Sequence, residues 1–301
     1  FQPDMTMIKE RNSTSGHVWI DSVRGVDKVL RCNANGAEST DDDCITAFTS
    51  DGFSIGDDVK TNESSTETYA AWCWKAGNTW QSNVTGAIPS TVNANTANGF
   101  SIVKYTGTGA NTTVGHSLGA APEVMIIKDL DNSRDWGVYH KYNTGGSGNS
   151  NEERLKLNLN VATTTYAPYW NGTTPTSTVF SLGNEGNVNT SGQEYIAYCW
   201  APKTGFSSFG SYTGNATAGR NITVGFQPDW ILTKRTDAND NWRLYDSVRQ
   251  HSNAFDLPAY INDAGEGIYG SGAANNTGVT GVTSTAFTLG NGNLSNGNGH
   301  E

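Results

Sequence analysis

Charge is scarce in this chain: only 16% of its 301 residues are charged, and 19 basic against 29 acidic residues leave a net charge of −10. A surface of that sign repels phosphate backbones and anionic lipid, so nucleic acid is not expected as a partner. No run approaches the roughly 18 apolar residues of a membrane-spanning helix, and no membrane insertion is expected. A basic segment leading into an apolar stretch, the mark of a signal peptide, is also missing. The chain opens on "FQPD" without Met and reads as a piece of a longer protein. Helical periodicity is nearly absent, with "NEERLKLNL" (Asn151 to Leu159) the one charged stretch that supports a short turn.

What is present is Asn, Ser, Thr and 35 Gly, residues that favour turns and serve poorly inside helices. Nine Trp, 12 Tyr and 10 Phe supply the apolar surface that disordered segments lack. Val, Ile, Phe, Tyr and Trp cluster in short runs bounded by Asn, Gly, Asp and Pro, the signature of antiparallel strands. In "WRLYD" the alternation Trp242, Leu244, Asp246 predicts one buried and one wet face, whereas "VMIIK" is apolar on both faces and belongs deeper.

Self-comparison shows a repeat. "FQPDMTMIK" (Phe1 to Lys9) matches "FQPDWILTK" (Phe226 to Lys234), with "AAPEVMIIK" (Ala120 to Lys128) between them. Each leads to a second strand: "HVWIDSVR" (His17 to Arg24), "WGVYHKYN" (Trp136 to Asn143) and "WRLYDSVR" (Trp242 to Arg249). "DSVR" is thus one position of a repeated unit, kept in copies one and three. "SDGFSIG" (Ser50 to Gly56), "STVFSLG" (Ser177 to Gly183) and "STAFTLG" (Ser284 to Gly290) place Phe53, Phe180 and Phe287 alike. A closing strand follows in "YAAWCW" (Tyr69 to Trp74) and "YIAYCW" (Tyr195 to Trp200), and an opening strand precedes copies two and three in "GFSIVKYTG" (Gly99 to Gly107) and "GFSSFGSYTG" (Gly205 to Gly214). The expectation is an all-β chain of tandem antiparallel β-sandwich units: residues 1–77 lacking an opening strand, a linker or extended loop at 78–98, a full unit at 99–203, and 204–301 lacking a closing strand.

At "YTGTGANTTVGHSLGAAPEVMIIK", "WNGTTPTSTVFSLG" and "YIAYCWAPKTGFSSFGSYTG" the chain closely resembles a functionally uncharacterised tandem-repeat family of tailed-phage and marine viral structural proteins. The resemblance implies concanavalin-like or jelly-roll repeats and a virion component at the particle surface: a tail fibre, spike or capsid decoration. It transfers no catalytic residue. The partners it implies are other virion proteins or copies of itself, with loops contacting host-surface glycan. Copy two departs from the pattern in lacking "DSVR".

Catalytic chemistry finds little support. Sandwich hydrolases use a close pair of acids, but Asp129, Asp131 and Asp135, like Asp41 to Asp43, fall in loops, where acids form turns. The chain is read as non-enzymatic and without a cofactor, with Asp129, Asp131 and Asp135 the candidate ligands should calcium bind. No His pair has zinc spacing, and "GHSLG" sits in a repeated turn whose counterpart "GFQPD" carries no Ser. Cys73 and Cys199 hold equivalent strand positions and read as buried thiols, while Cys32 and Cys44 read as unpaired. "YAPYWNG" is the densest aromatic cluster, so Tyr166, Tyr169 and Trp170 are the glycan-platform candidates, with Trp170 the one that also fits packing. Two other classes stay open: a secreted bacterial carbohydrate-binding or glycan-cleaving protein, and a self-assembling filament or adhesin built by strand addition.

Overall fold

In the computed structural model, which describes residues 1–63, 66–77, 79–249, 258–264, 278–292, 296–297 and 299, the aromatic and β-branched runs are strands joined by Asn-, Gly- and Asp-rich turns. The first lobe holds β1 (Met5–Glu10), β2 (Val18–Asp21), β3 (Gly25–Arg31), β4 (Ser39–Thr40), β5 (Ala47–Thr49), β6 (Gly52–Ser54), the one-turn helix α1 (Val59–Asn62) and β7 (Tyr69–Trp74). The second holds β8 (Gln81–Asn83), β9 (Ser90–Asn95), β10 (Phe100–Thr106), β11 (Thr112–Gly115), β12 (Val124–Asp129), β13 (Gly137–His140), β14 (Glu153–Lys156), β15 (Thr164–Thr165), β16 (Val179–Leu182), α2 (Gly186–Asn189) and β17 (Glu194–Trp200). The third holds β18 (Arg220–Thr223), β19 (Trp230–Thr233), β20 (Arg243–Asp246), β21 (Ala259–Tyr260), β22 (Val279–Val282) and β23 (Ala286–Leu289).

The protein is all-β, made of antiparallel sheets packed as sandwiches. A five-stranded sheet, β4-β3-β2-β1-β7, is covered by the β5-β6 hairpin, and an eight-stranded sheet, β15-β14-β13-β12-β17-β10-β9-β8, by β11-β16. In the third lobe β19-β20-β21 faces β18-β23-β22. Each lobe has its own apolar filling: Ile8, Val18, Ile20 and Val29 in the first, Met125, Ile127, Tyr139 and Phe180 in the second, and Ile231, Tyr245, Phe287 and Leu289 in the third.

Sequence-equivalent residues pair identically. Met5 faces Trp74 and Glu10 faces Tyr69, as Val124 faces Trp200 and Asp129 faces Tyr195. Across the hairpins Met5 meets Asp21, Val124 meets His140 and Trp230 meets Asp246. The lysine that ends each of these first strands turns back onto carbonyls: Lys9 Nζ donates to Glu10 O and to Ser13 O at 3.0 Å, Lys128 Nζ to Asp129 O at 2.6 Å and Asn132 O at 3.2 Å, and Lys234 Nζ to Arg235 O.

Two expectations are corrected. The stretch 78–98 is no linker: β9 runs beside β10 from Asn95 opposite Phe100 to Ser90 opposite Tyr105, and β8 pairs outside it. Its polar sequence hid the strand because only Val92 and Ala94 turn into the second lobe's core, beside the backbone ladder to β10. Nor does "WRLYD" have a wet face, since Arg243, Leu244, Tyr245 and Asp246 are all buried. Its second face packs into a core that all three lobes share.

That shared core replaces the expected picture of separately closed units strung along the chain. It gathers Met7, Trp19 and Leu30 from the first lobe, Ile126, Trp136 and Val138 from the second, and Trp242, Leu244 and Ile261 from the third. "VMIIK" is therefore buried on both sides, with Met125 and Ile127 inside their own lobe and Ile126 in the common core. Indole donors bridge the lobes: Trp136 Nε1 donates to Arg31 O at 3.2 Å and Ala34 O at 3.0 Å, and its counterpart Trp242 Nε1 donates to Lys156 O at 2.9 Å. Trp19 stacks on Trp136 at 5.2 Å and on Tyr198 at 5.0 Å, and aromatic pairs of this kind contribute about 0.5–1.5 kcal/mol each beyond area burial.

Candidate functional site

The three acids of the "DLDNSRD" loop sit close in sequence but point at different protein donors. Asp129 is fully buried at the end of β12, and its Oδ1 accepts the backbone N–H groups of Asp131 and Asn132, both at 2.9 Å. Its Oδ2 accepts the Tyr195 hydroxyl at 3.3 Å and lies 3.3 Å from Arg134 Nε. Asp131 Oδ2 accepts the Glu194 N–H at 2.7 Å, which ties the loop to β17. Asp135 accepts Asn158 Nδ2 at 2.8 Å and pairs with Lys156 Nζ at 2.7 Å. Burial raises the Asp135 carboxyl, but Asn158 and Lys156 outweigh it and hold the group below its ordinary value. The geometry does not bring these three carboxylates together as a ligand set: Asp129 closes its own turn, Asp131 reaches β17 and Asp135 faces Lys156 and Asn158.

The acids of "DDDC" are similarly engaged. Asp41, Cys44 and Asp58 lie within ligand distance of one another, but Lys60 Nζ sits 2.9 Å from Asp41 Oδ2 and also pairs with Asp58. An ammonium already occupies the place of a cation, and the Asp58 carboxylate caps α1 by accepting the Lys60 N–H at 2.8 Å.

The proposed sugar platform is also corrected. Tyr169 and Trp170 are both 0% exposed, and Trp170 Nε1 donates to Glu153 O at 2.9 Å. Trp170 packs, as the repeat pattern allowed, and Tyr169 is locked beside it at 5.4 Å, so neither face can meet a glycan. Tyr166 alone of the cluster is exposed, at 39%, and the Arg154 guanidinium covers its ring at 4.4 Å. The thiols of Cys32 and Cys44 are free and belong to different cores, the shared one and that of the first lobe. Cys199 is buried, and burial pushes its thiol up to about 12, whereas Cys73, expected to match it, is half-buried on β7, which ends its sheet among the described residues.

"DSVR" is a clasp between lobes. Asp21 Oδ1 accepts the N–H groups of Val23 and Arg24 at 3.0 Å, closing the turn, while its Oδ2 takes Arg24 Nε at 2.5 Å and the hydroxyl of Tyr198 at 2.7 Å. In copy three Asp246 binds Val248, Arg249 and the Arg249 guanidinium in the same way, and that guanidinium lies 5.4 Å over Trp72. Tyr198 and Trp72 hold the same position in the two closing strands. The first lobe thus grips the second, and the third grips the first.

A cleft of about 1330 Å³ is lined by residues of all three lobes. One wall is the apolar face of the second lobe, Val124, Ile126, Val138 and Leu155, beside His140 and Asn143, which stand where the other copies carry "DSVR". Burial lowers the His140 ring to about 4, so it is neutral near pH 7. The opposite walls are β19, the segment 205–212 and β7, with Trp74 edge-on to Trp230 at 5.7 Å. β7 and β19 each end a sheet, so each presents an unpaired edge among the described residues. No sequence motif singled out this cleft.

These features define a class: an all-β protein whose acids and arginines hold turns and lobes together around a cleft bordered by strands β7 and β19. The chain belongs to the family described as the domain of unknown function DUF7483, which matches residues 1–274. No curated protein and no solved structure matches it. Among the described residues no helix is long and apolar enough to cross a membrane.

Proposed function

We propose that this protein is a non-enzymatic structural component of a bacteriophage virion exterior, a tail fibre, spike or capsid decoration, whose partners are other virion proteins. One observation supports the non-catalytic half of this reading: the candidate acids Asp129, Asp131 and Asp135 each face a protein donor, the Asn132 N–H, the Glu194 N–H and the Lys156 ammonium. A hydrolase needs a pair of acids facing one bound sugar, about 5–9.5 Å apart. The virion half rests on the repeat resemblance, and the interlocked lobes suit a load-bearing part.

Incubation with mixed polysaccharides tests the first half: no new reducing ends are expected, and their release, abolished by Asp129→Asn, would overturn it. Immunogold microscopy of purified virions tests the second. Label on the tail or capsid exterior is expected, and particles that never label would remove the assignment.

A further inference from the structure

The turn after β1 and the turn after β12 are built alike, but their charges differ. The two stretches correspond without a gap from Lys9 and Lys128 to His17 and Trp136. Equivalent bonds fix the register: Asn12 Oδ1 accepts the Thr68 N–H at 3.0 Å as Asp131 Oδ2 accepts the Glu194 N–H at 2.7 Å, and Glu10 faces Tyr69 as Asp129 faces Tyr195. Glu10 thus stands for Asp129, Ser13 for Asn132, Ser15 for Arg134 and Glu67 for Gln193.

In the second lobe the buried acid is matched. Asp129 accepts the Asn132 N–H, its Oδ2 lies 3.3 Å from Arg134 Nε, and Asn132 Nδ2 donates to Gln193 Oε1 at 2.5 Å. In the third lobe the polarity is reversed and still balanced: Arg235 stands where Glu10 does, pairs with Asp237 Oδ1 at 2.7 Å, and has Asp240 in the place of Ser15. The first lobe alone keeps the acid, loses the base to Ser15 and gains a second acid in Glu67.

Glu10 is 1% exposed, and both of its carboxylate oxygens are buried without a hydrogen-bond partner among the described residues. The hydroxyls beside it are turned on each other, with Ser13 Oγ donating to Ser15 Oγ at 3.1 Å. Glu67, which accepts the Thr66 hydroxyl at 3.3 Å, brings a second carboxylate to the same place. Burial raises the Glu10 carboxyl, but Ser13, Ser15 and the Lys9 ammonium outweigh it and hold the group below its ordinary value. Glu10 is therefore ionised near pH 7. Lys9 Nζ itself donates to the carbonyls of Glu10 and Ser13. A buried charge is stable when it is paired or bound to a metal.

We propose that Glu10 and Glu67, with the Ser13 and Ser15 hydroxyls, form a binding site for one calcium ion, which takes the place that Arg134 fills in the second lobe. All the donors are hard oxygens, two carboxylates balance a divalent charge, and calcium accepts an irregular oxygen set that water completes, whereas magnesium demands a near-ideal octahedron.

The probes are terbium, a calcium mimic whose emission Tyr69 sensitises from its place opposite Glu10, and calcium itself, each titrated into the intact 301-residue chain. Saturable one-to-one emission displaced by calcium is expected, with Tm raised by roughly 3 °C at a hundredfold excess of calcium over Kd. Glu67→Gln and Ser15→Arg install the second lobe's own residues, so both fold, and each weakens binding at least about tenfold. Asp131→Asn binds as the unaltered chain does. Absence of saturable emission, or an affinity that Glu67→Gln and Ser15→Arg leave unchanged, overturns the proposal. So does binding that Asp41→Asn abolishes and Glu67→Gln does not, which would put the ion beside α1.

Discussion

The hydroxyl of Tyr198 donates to Asp21 Oδ2 at 2.7 Å, joining two residues 177 apart in sequence and two lobes in space. The same carboxylate carries the Arg24 guanidinium, with both side chains at most 1% exposed. Burying an ion pair stabilises little by itself, but breaking one leaves an uncompensated charge. Tyr198→Phe is expected to cost about 1–3 kcal/mol, the penalty for removing one donor from a buried acceptor. Arg24→Met is expected to cost about 3–5 kcal/mol. Urea unfolding measures both, and a loss under about 0.5 kcal/mol for each, typical of a plain surface site, would show that the clasp holds nothing.

Asn189 is the hub of the turn after β16. Its amide donates to Gly183 O and Ala110 O, both at 2.7 Å, and its Oδ1 accepts the Thr108 N–H at 2.7 Å. Asn189→Ala removes the partner of all three backbone groups, of which the bond to Gly183 O is buried, and is expected to cost about 1–3 kcal/mol. Asn189→Asp keeps the acceptor alone and falls between. Equal stability of all three proteins in chemical denaturation would contradict the role.

Acid should act through His17. Burial, with Lys9 and Arg249 adding like charge, lowers its ring to about 3 from the ordinary 6.5. Between those values the unfolded chain binds a proton that the folded chain refuses, so stability present above pH 6.5 falls as pH drops. The loss is roughly 2–3 kcal/mol by pH 4.5. His17→Phe removes this part of the slope, and denaturation at pH 7 and 4.5 reads it. An unchanged slope would place the acid sensitivity elsewhere.

Calcium is expected to leave the "DLDNSRD" loop unmoved. Asp129, Asp131 and Asp135 each have a protein donor at 2.9 Å or less. A rise in Tm with millimolar calcium should survive Asp131→Asn, and its loss in that variant would restore the loop as a cation site.

Most strands and the depth of "VMIIK" were legible because aromatic and β-branched runs encode them locally. Strand β9 was not, since "STVNAN" is held to β10 by its backbone and carries little apolar pattern. The shared core was equally hidden. Trp19, Trp136 and Trp242 read as ordinary strand aromatics, and only the packing of lobes decides which of two faces each one fills. Tyr169 was misplaced for the reverse reason: a cluster of rings in a polar loop looks exposed until Arg154 and Trp170 close over it. Of the acids of "DLDNSRD", Asp129 closes a local turn, but the partner of Asp131, Glu194, lies 63 residues away and no spacing rule reaches it.

Three lobes hold one another through a common core instead of standing alone. Thermal unfolding of the intact chain, followed by calorimetry and by near-ultraviolet dichroism of tryptophan, tests it most directly. One transition is predicted, with matching calorimetric and van't Hoff enthalpies, moving as a whole to lower temperature in Trp136→Ala. Two or three separate transitions, of which only one shifts in that variant, would contradict it.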